Sequence, residues 1–218
     1  VDRPVAEIVR TAATELATRG VEIRDVSVPV HKDGVAIWNA IFSHEVAATV
    51  ERDAPNLFND AGYDIDFAHL FGNKRHSRTR DLPLKTRATL ILNRYLREKC
   101  DLSYYMLAKN EASKLRAAYH QELKAVDVLA MPTIGTVAPR RNEGSLTTDW
   151  SQDLYRTIPN TAPFNVSGHP ALSVPCGTLN GLPAGIQFVG KHFDEVTVLQ
   201  TGHLLQEVTD YDPNVNIE

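Results

Sequence analysis

The sequence predicts an α/β protein in which helices flank part of a mixed β-sheet, and three observations carry that reading. A helical repeat ending at Gly20 passes directly into the β-rich run VEIRDVSVP, the tight helix-to-strand succession of a layered α/β fold. VDVLAMP at 126–132 is a continuous apolar run stopped by Pro132, the pattern of a strand buried on both faces. ALSVP at 171–175 and AGIQFVG at 184–190 are two further strands, joined by a turn around Asn180-Gly181-Leu182-Pro183. A parallel or mixed sheet fits these runs better than a sandwich.

Each element has a local reason. Asp2 ahead of Pro4 starts the first helix, Val5, Ile8, Val9, Ala12, Ala13 and Leu16 recur at helical spacing, and Gly20 stops it. Val21, Ile23, Val26 and Val28 make a short strand closed by Pro29. A second helix spans about 33–53, with Val35, Trp38, Ile41, Phe42 and Glu45 along or beside one face. Residues 54–81 are polar and turn-rich and predict a loop with one helical turn at Ile65 to Leu70. Leu84 to Lys99 and Leu102 to Lys124 are helical, interrupted at Cys100-Asp101, with Leu90, Ile91, Tyr95, Leu102, Tyr105, Met106, Leu115 and Tyr119 as anchors. Residues 132–170, rich in proline and glycine, predict a long functional loop region. DEVTVLQTGHLLQEV at 194–208 is a last amphipathic helix capped by Asp194.

Composition excludes several classes. A chain of 218 residues with 43% hydrophobic and 23% charged residues is large enough for a real core and is not a disordered tail. A net charge of −4 gives no general attraction to nucleic acid or anionic lipid, so neither nucleic acid nor membrane is expected as a partner. No apolar run approaches the roughly 20 residues of a membrane span, and VDRPVAEIVR lacks a signal-peptide layout. A cytoplasmic protein is expected. Cys100 and Cys176 match no disulfide or zinc spacing.

The residues alone give no nucleophile. There is no G-x-S-x-G elbow and no S-x-x-K, and Ser167 before Gly168 lacks the glycine that the elbow turn needs. The eight histidines include no H-E-x-x-H and no i, i+4 pair, so no metal and no cofactor is expected. Cys176, at a strand end before Gly177, could be a reactive thiol near His169, but a small buried cysteine is the preferred reading. His169, between Gly168 and Pro170, reads as a hydrogen-bonded loop histidine. Nine Lys/Arg between Lys74 and Lys99 face only Asp81 and Glu98; a solvated face or subunit contact is preferred over phosphate binding.

The blocks DVLAMPT, NTAPFNVSGHPALSVPCG and GLPAGIQFVGKHFDEVTVL, in that order from Asp127 to Val208, resemble the carboxy-terminal region of the amidase signature family. GVEIRDVSVP, IWNAIFSHE and the helical region ending at YHQEL extend the resemblance more loosely upstream. IWN and NTAPFNVSGHP are most similar to amidases of nitrile degradation, which hydrolyse short aliphatic and aromatic amides to acids and ammonia. The resemblance implies that residues 1–218 are the carboxy-terminal portion of a single amidase signature domain. The family's Ser nucleophile, bridging Ser in a cis peptide and catalytic Lys lie in a Gly/Ser-rich region that precedes this part, so no catalytic residue is assigned here. Its partners are then a small neutral amide and the amino-terminal half, with a homodimer as an allowed assembly.

The same resemblance places Trp38 and Ile158 at the acyl-group pocket, where a flat aromatic and a branched aliphatic suit an apolar substituent and leave a carboxylate unpaired. Thr133, Thr161 and Asn165 are further substrate-side candidates that order loops, with backbone support as their simpler role. The glutamine-directed amidotransferase component of the A type is also similar but carries an acidic residue near Ile158, which disfavours an amidotransferase fragment. A non-catalytic interaction domain using the 74–99 basic stretch is the alternative of a different class. Missing sheet neighbours would leave apolar faces exposed and favour association.

Overall fold

The computed structural model describes residues 1–51, 62, 64–139 and 155–209. The chain divides into two compact units, one of Val1–Val35 with Ala112–Glu218 and one of Ala36–Glu111. The α/β class holds. Helices α1 (Arg3–Ala17), α2 (Gly34–Glu51), α3 (Ile65–Ser77), α4 (Leu84–Cys100) and α5 (Ser103–Glu122) precede strand β1 (Val128–Pro132). Then come α6 (Ala162–Ser167), the hairpin β2 (Ala171–Leu179) and β3 (Leu182–Gly190), and α7 (Glu195–Val208).

In the first unit the sheet order is β1-β3-β2, and both pairings are antiparallel, with Leu129 opposite Val189 and Val174 opposite Ile186. The parallel neighbours that would make the sheet mixed are not among the described strands. The hairpin is tighter than expected: Asn180 (φ 53°) and Gly181 (φ 79°) make a two-residue turn in the left-handed region, as a type I′ turn requires. The pairing shifts register between Pro175 and Gly177, which leaves Cys176 at a bulge.

One sheet face is apolar. Val9, Ala12 and Leu16 of α1 meet Val174, Ile186 and Phe188 of the sheet and Val198 and Leu205 of α7. On α1, Val5, Val9, Ala12 and Leu16 recur at helical spacing and are all buried, and each large side chain so covered contributes roughly 1.5–3 kcal/mol. Gly202 lets α7 lie close to the sheet, since a Cβ there would come 2.4 Å from Leu172 Cδ2 and the leucine side chain would have to move. Successive residues alternate faces, so Gln187 and Val189 point to the opposite side, where Gln187 Nε2 donates to the carbonyl of Asn160 at 2.9 Å.

Four local expectations need correction. Residues 21–28 form no strand: Ile23 and Val26 are exposed and no described strand pairs with the segment. The expected loop at 54–81 holds a full helix, α3, because Asp64 caps Phe67 N at 2.9 Å and Lys74, Arg75 and His76 occupy the last turn, where the helix dipole favours cations; residues 52–61 lie outside the described residues. Strand β1 is not buried on both faces throughout, since Leu129 is buried and Ala130 exposed. Of the helical anchors, Leu115 and Tyr119 are buried, whereas Ile91, Tyr95, Leu102 and Met106 are exposed. On α4 the covered stripe runs through Thr86, Leu90, Asn93 and Arg97, and Ile91 and Tyr95 fall off it. The break between α4 and α5 sits as expected at Asp101, with φ 50°.

Candidate functional site

The end of β1 and the segment 155–169 of the first unit gather the polar groups of the second sheet face. Thr133 follows β1, donates its N–H to the carbonyl of Gly185 at 2.8 Å, and places Oγ1 2.6 Å from Ser173 Oγ. A Cβ on Gly185 would lie 3.1 Å from both hydroxyls, so glycine there lets them meet. Ile158 is half-buried, and its carbonyl accepts from the N–H groups of Thr161 (3.1 Å) and Ala162 (2.9 Å) and from Thr161 Oγ1 (3.3 Å). Thr161 is thus the residue at the start of α6 and closes the turn through the backbone. Asn165, on α6, is exposed, with its backbone N–H on the Thr161 carbonyl.

Asn160 joins this turn to the sheet. Its Nδ2 donates to the Pro132 carbonyl at 2.6 Å, and its Oδ1 lies 3.2 Å from His31 Nε2. His31 Nδ1 is in turn 2.7 Å from the Tyr119 hydroxyl. Tyr119 packs against Phe164 with ring centroids 4.8 Å apart, and its burial pushes the phenol well above its ordinary range, so it stays protonated. His31, Asn160, Ser173 and Gln187 were not singled out from the sequence. No spacing rule marks them, because they are brought together from four separate segments.

A second polar group surrounds α6. His169 is buried, with Nδ1 2.9 Å from Ser167 Oγ, and it stacks on His192 with centroids 4.1 Å apart. The Ser167 carbonyl accepts from Arg116 Nε at 3.0 Å and faces His192 Nε2 at 2.9 Å. Desolvation first, then the fields of His192, His120 and Arg116, push the His169 imidazole from 6.5 down to about 4. His169 is therefore neutral near pH 7 and is the hydrogen-bonded loop histidine expected.

Cys176 is a packing residue. It lies against the α1–sheet–α7 core, its Sγ is 3.5 Å from the Ala184 carbonyl, and burial pushes its thiol up to about 11, so it carries negligible thiolate near neutral pH. Among the described residues no group of three or more His, Cys, Asp or Glu is placed to hold a metal ion, and no helix is long and apolar enough to cross a membrane.

In the second unit, Trp38 on α2 is half-buried and stacks on Phe42, centroids 4.5 Å apart and planes inclined by 14°. Tyr105 donates to Glu45 Oε1 at 3.2 Å, and desolvation together with that carboxylate pushes its phenol up to about 12. Buried Ser43, His44 and Asn93 lie in the same unit. In the basic stretch Arg78 pairs with Asp81 and Arg94 with Glu98 at 2.7 Å, and all four side chains are exposed.

The sequence profile of the family described as Amidase matches residues 1–199. An enantioselective amidase of Rhodococcus rhodochrous is 32% identical over 213 residues, covering 96% of this chain and 41% of that protein. A glutamyl-tRNA(Gln) amidotransferase subunit of Geobacillus kaustophilus (strain HTA426) is 30% identical over 213 residues, covering 97% of this chain and 43% of that protein. The solved structure of 6-aminohexanoate cyclic dimer hydrolase superposes with a TM-score of 0.74 at 21% identity, covering 99% of this chain and 44% of that one. The chain therefore spans about two-fifths of the length of the relatives it matches.

Proposed function

The chain belongs to the Amidase family, and on that premise we propose that it forms the carboxy-terminal portion of an amidase signature domain that hydrolyses a small neutral carboxamide to a carboxylic acid and ammonia. The observation that carries this reading is the family match over residues 1–199 together with 32% identity to an enantioselective amidase. In the proposed reaction the Ser, cis-Ser and Lys of the family's amino-terminal region supply the chemistry. The Ser attacks the amide carbon, the Lys accepts its proton through the bridging Ser, and backbone N–H groups hold the oxyanion. This chain supplies substrate selection: Ile158 as an aliphatic wall and Trp38 as an aromatic wall for the acyl group, with Thr133, Thr161 and Asn165 ordering the backbone around it.

The relatives named as glutamyl-tRNA(Gln) amidotransferase components support a second reading, transfer rather than hydrolysis. Ile158 favours hydrolysis of a neutral amide, because an aliphatic side chain offers nothing to pair with a substrate ammonium. A cytoplasmic enzyme of nitrile degradation is the setting that this substrate class suggests. The exposed Ile91, Leu102 and Met106 supply apolar surface for a further part of the enzyme or a second copy to cover.

The test is ammonia release from short aliphatic and aromatic amides. The 218-residue chain alone is expected to give none above buffer, and the chain joined to its amino-terminal region to give turnover; hydrolysis by the pure chain overturns the assignment of the nucleophile to the other part. In the complete enzyme, Trp38→Ala is expected to change the ratio of kcat/KM for bulky against small acyl groups by about tenfold. An unchanged ratio returns Trp38 to a packing role against Phe42.

A further inference from the structure

We infer that Asn160 is a positioning residue for acyl-group selection, held in place by a one-directional hydrogen-bond relay from Tyr119 through His31. The inference rests on the proposed role of Ile158 in the amide-hydrolysing enzyme. Neither Asn160 nor His31 belongs to the substrate-side set named above.

The direction of the relay follows from the partners. The Pro132 carbonyl can only accept, so the Asn160 amide nitrogen faces it and the amide oxygen faces His31. That oxygen can only accept, so His31 carries its proton on Nε2. The Nδ1 lone pair is then free to take the Tyr119 O–H at 2.7 Å. Tyr119 is 1% exposed and remains a donor. An amide flip would break the chain at two points, on Pro132 and on His31, and the other imidazole tautomer would break it at Asn160, where a lone pair would face the amide oxygen.

The relay grips a short turn from several sides. His31 comes from the 3-10 turn Pro29–Asp33, Tyr119 from α5, the Pro132 carbonyl from the end of β1, and Gln187 of β3 donates to the Asn160 carbonyl at 2.9 Å. Downstream, Pro163 lies so close to Gly34 that a Cβ there would come 2.5 Å from its ring. Ile158 is fixed to the same turn by the Thr161 and Ala162 N–H groups on its carbonyl. A loop that merely connects α6 to the preceding chain does not need a directed polar side-chain network at its centre; a turn that holds one apolar side chain against substrates differing by a few methylenes does, because a shift of a fraction of an ångström changes such discrimination.

The test uses the complete enzyme, this chain with its amino-terminal region, and compares kcat/KM for benzamide and propionamide. Asn160→Ala is expected to shift the ratio of the two by about fivefold or more, and the shift is expected to vanish in an Ile158→Ala background, because Asn160 acts through Ile158. Tyr119→Phe removes only the hydroxyl and keeps the ring on Phe164, so it decides the matter if Asn160→Ala fails to fold, with a smaller shift in the same direction expected. A purely structural role lowers both kcat/KM values together and leaves the ratio unmoved; that result in the folded variant overturns the inference. Absence of hydrolysis by the unaltered enzyme overturns the amidase reading and this inference with it, whereas normal hydrolysis with an unmoved ratio overturns this inference alone.

Discussion

Replacing Phe188 by alanine is expected to lower the unfolding free energy by about 3–5 kcal/mol, the range for truncating a fully buried aromatic. Phe188 is 0% exposed and sits on the central strand, opposite Leu172 on β2 and Ala130 on β1. Its side chain is part of the cluster that joins Val9, Ala12 and Leu16 of α1 to Val198 and Leu205 of α7. A cavity there has little chance to collapse, because the sheet is pinned by two sets of ladder bonds and α7 lies close on it, so that a methyl added at Gly202 of α7 would lie 2.4 Å from Leu172 and one added at Gly190 of β3 would lie 2.4 Å from Val198. Phe188→Leu, which keeps most of the volume, is expected to cost less than half as much. Urea unfolding of the two variants beside the unaltered protein checks this. Equal and small losses would mean that the α1–sheet–α7 interface is loosely packed and that the tight glycine contacts relax in solution.

The elements that build this core were legible because their signals are local. Helix α1 shows its buried stripe in the spacing of Val5, Val9, Ala12 and Leu16, and α7 shows its start in Asp194, whose carboxylate accepts from Thr197 Oγ1 at 2.8 Å. Asn180-Gly181 announces the hairpin through its preference for positive φ. The failures are places where neighbours decide. VEIRDVSVP has strand composition but no described partner, and composition cannot supply one. Helix α3 was hidden by its polar sequence, since its cap and terminal charges support a helix that buries little more than Gly72. The antiparallel direction of β1 follows from its pairing with β3, which a single apolar run does not encode.

The candidate site divides along the same line. Trp38, Ile158, Thr133, Thr161 and Asn165 were reached through family resemblance, and composition or spacing would have found none of them. His31 was one histidine among eight, and Asn160 one residue of a proline-rich loop. They acquire meaning only when residues 31, 119, 132, 160 and 187 meet, and such long-range hydrogen bonds leave no periodicity in the chain.

Acidification is expected to remove about 3 kcal/mol of stability through His169 alone, between pH 6.5 and 4. The sign follows from the direction of the shift. In the unfolded chain the imidazole takes up its proton near the ordinary 6.5, whereas in the folded protein burial holds it down to about 4. As the pH falls through this window the unfolded state binds a proton that the folded state refuses, so stability declines, and below about 4 both states are protonated and the loss from this group is complete. The surroundings explain why the folded site refuses the charge. His169 is 5% exposed, its ring stacks on His192, and the other groups acting on it, His120 and Arg116 of α5, are basic as well, while Tyr119 presents only a ring edge. Its Nε2 has no hydrogen-bond partner, so a proton added there would be buried without an acceptor. His169→Gln removes the titration while leaving a polar side chain beside Ser167. The variant is expected to start less stable at pH 7 and to lose correspondingly less on acidification, so that its curve of unfolding free energy against pH converges on that of the unaltered protein near pH 4. Parallel curves would show that His169 takes up its proton at the same pH in the folded as in the unfolded chain, and the α6 segment would then have to open at Ser167 to give the imidazolium an acceptor or water.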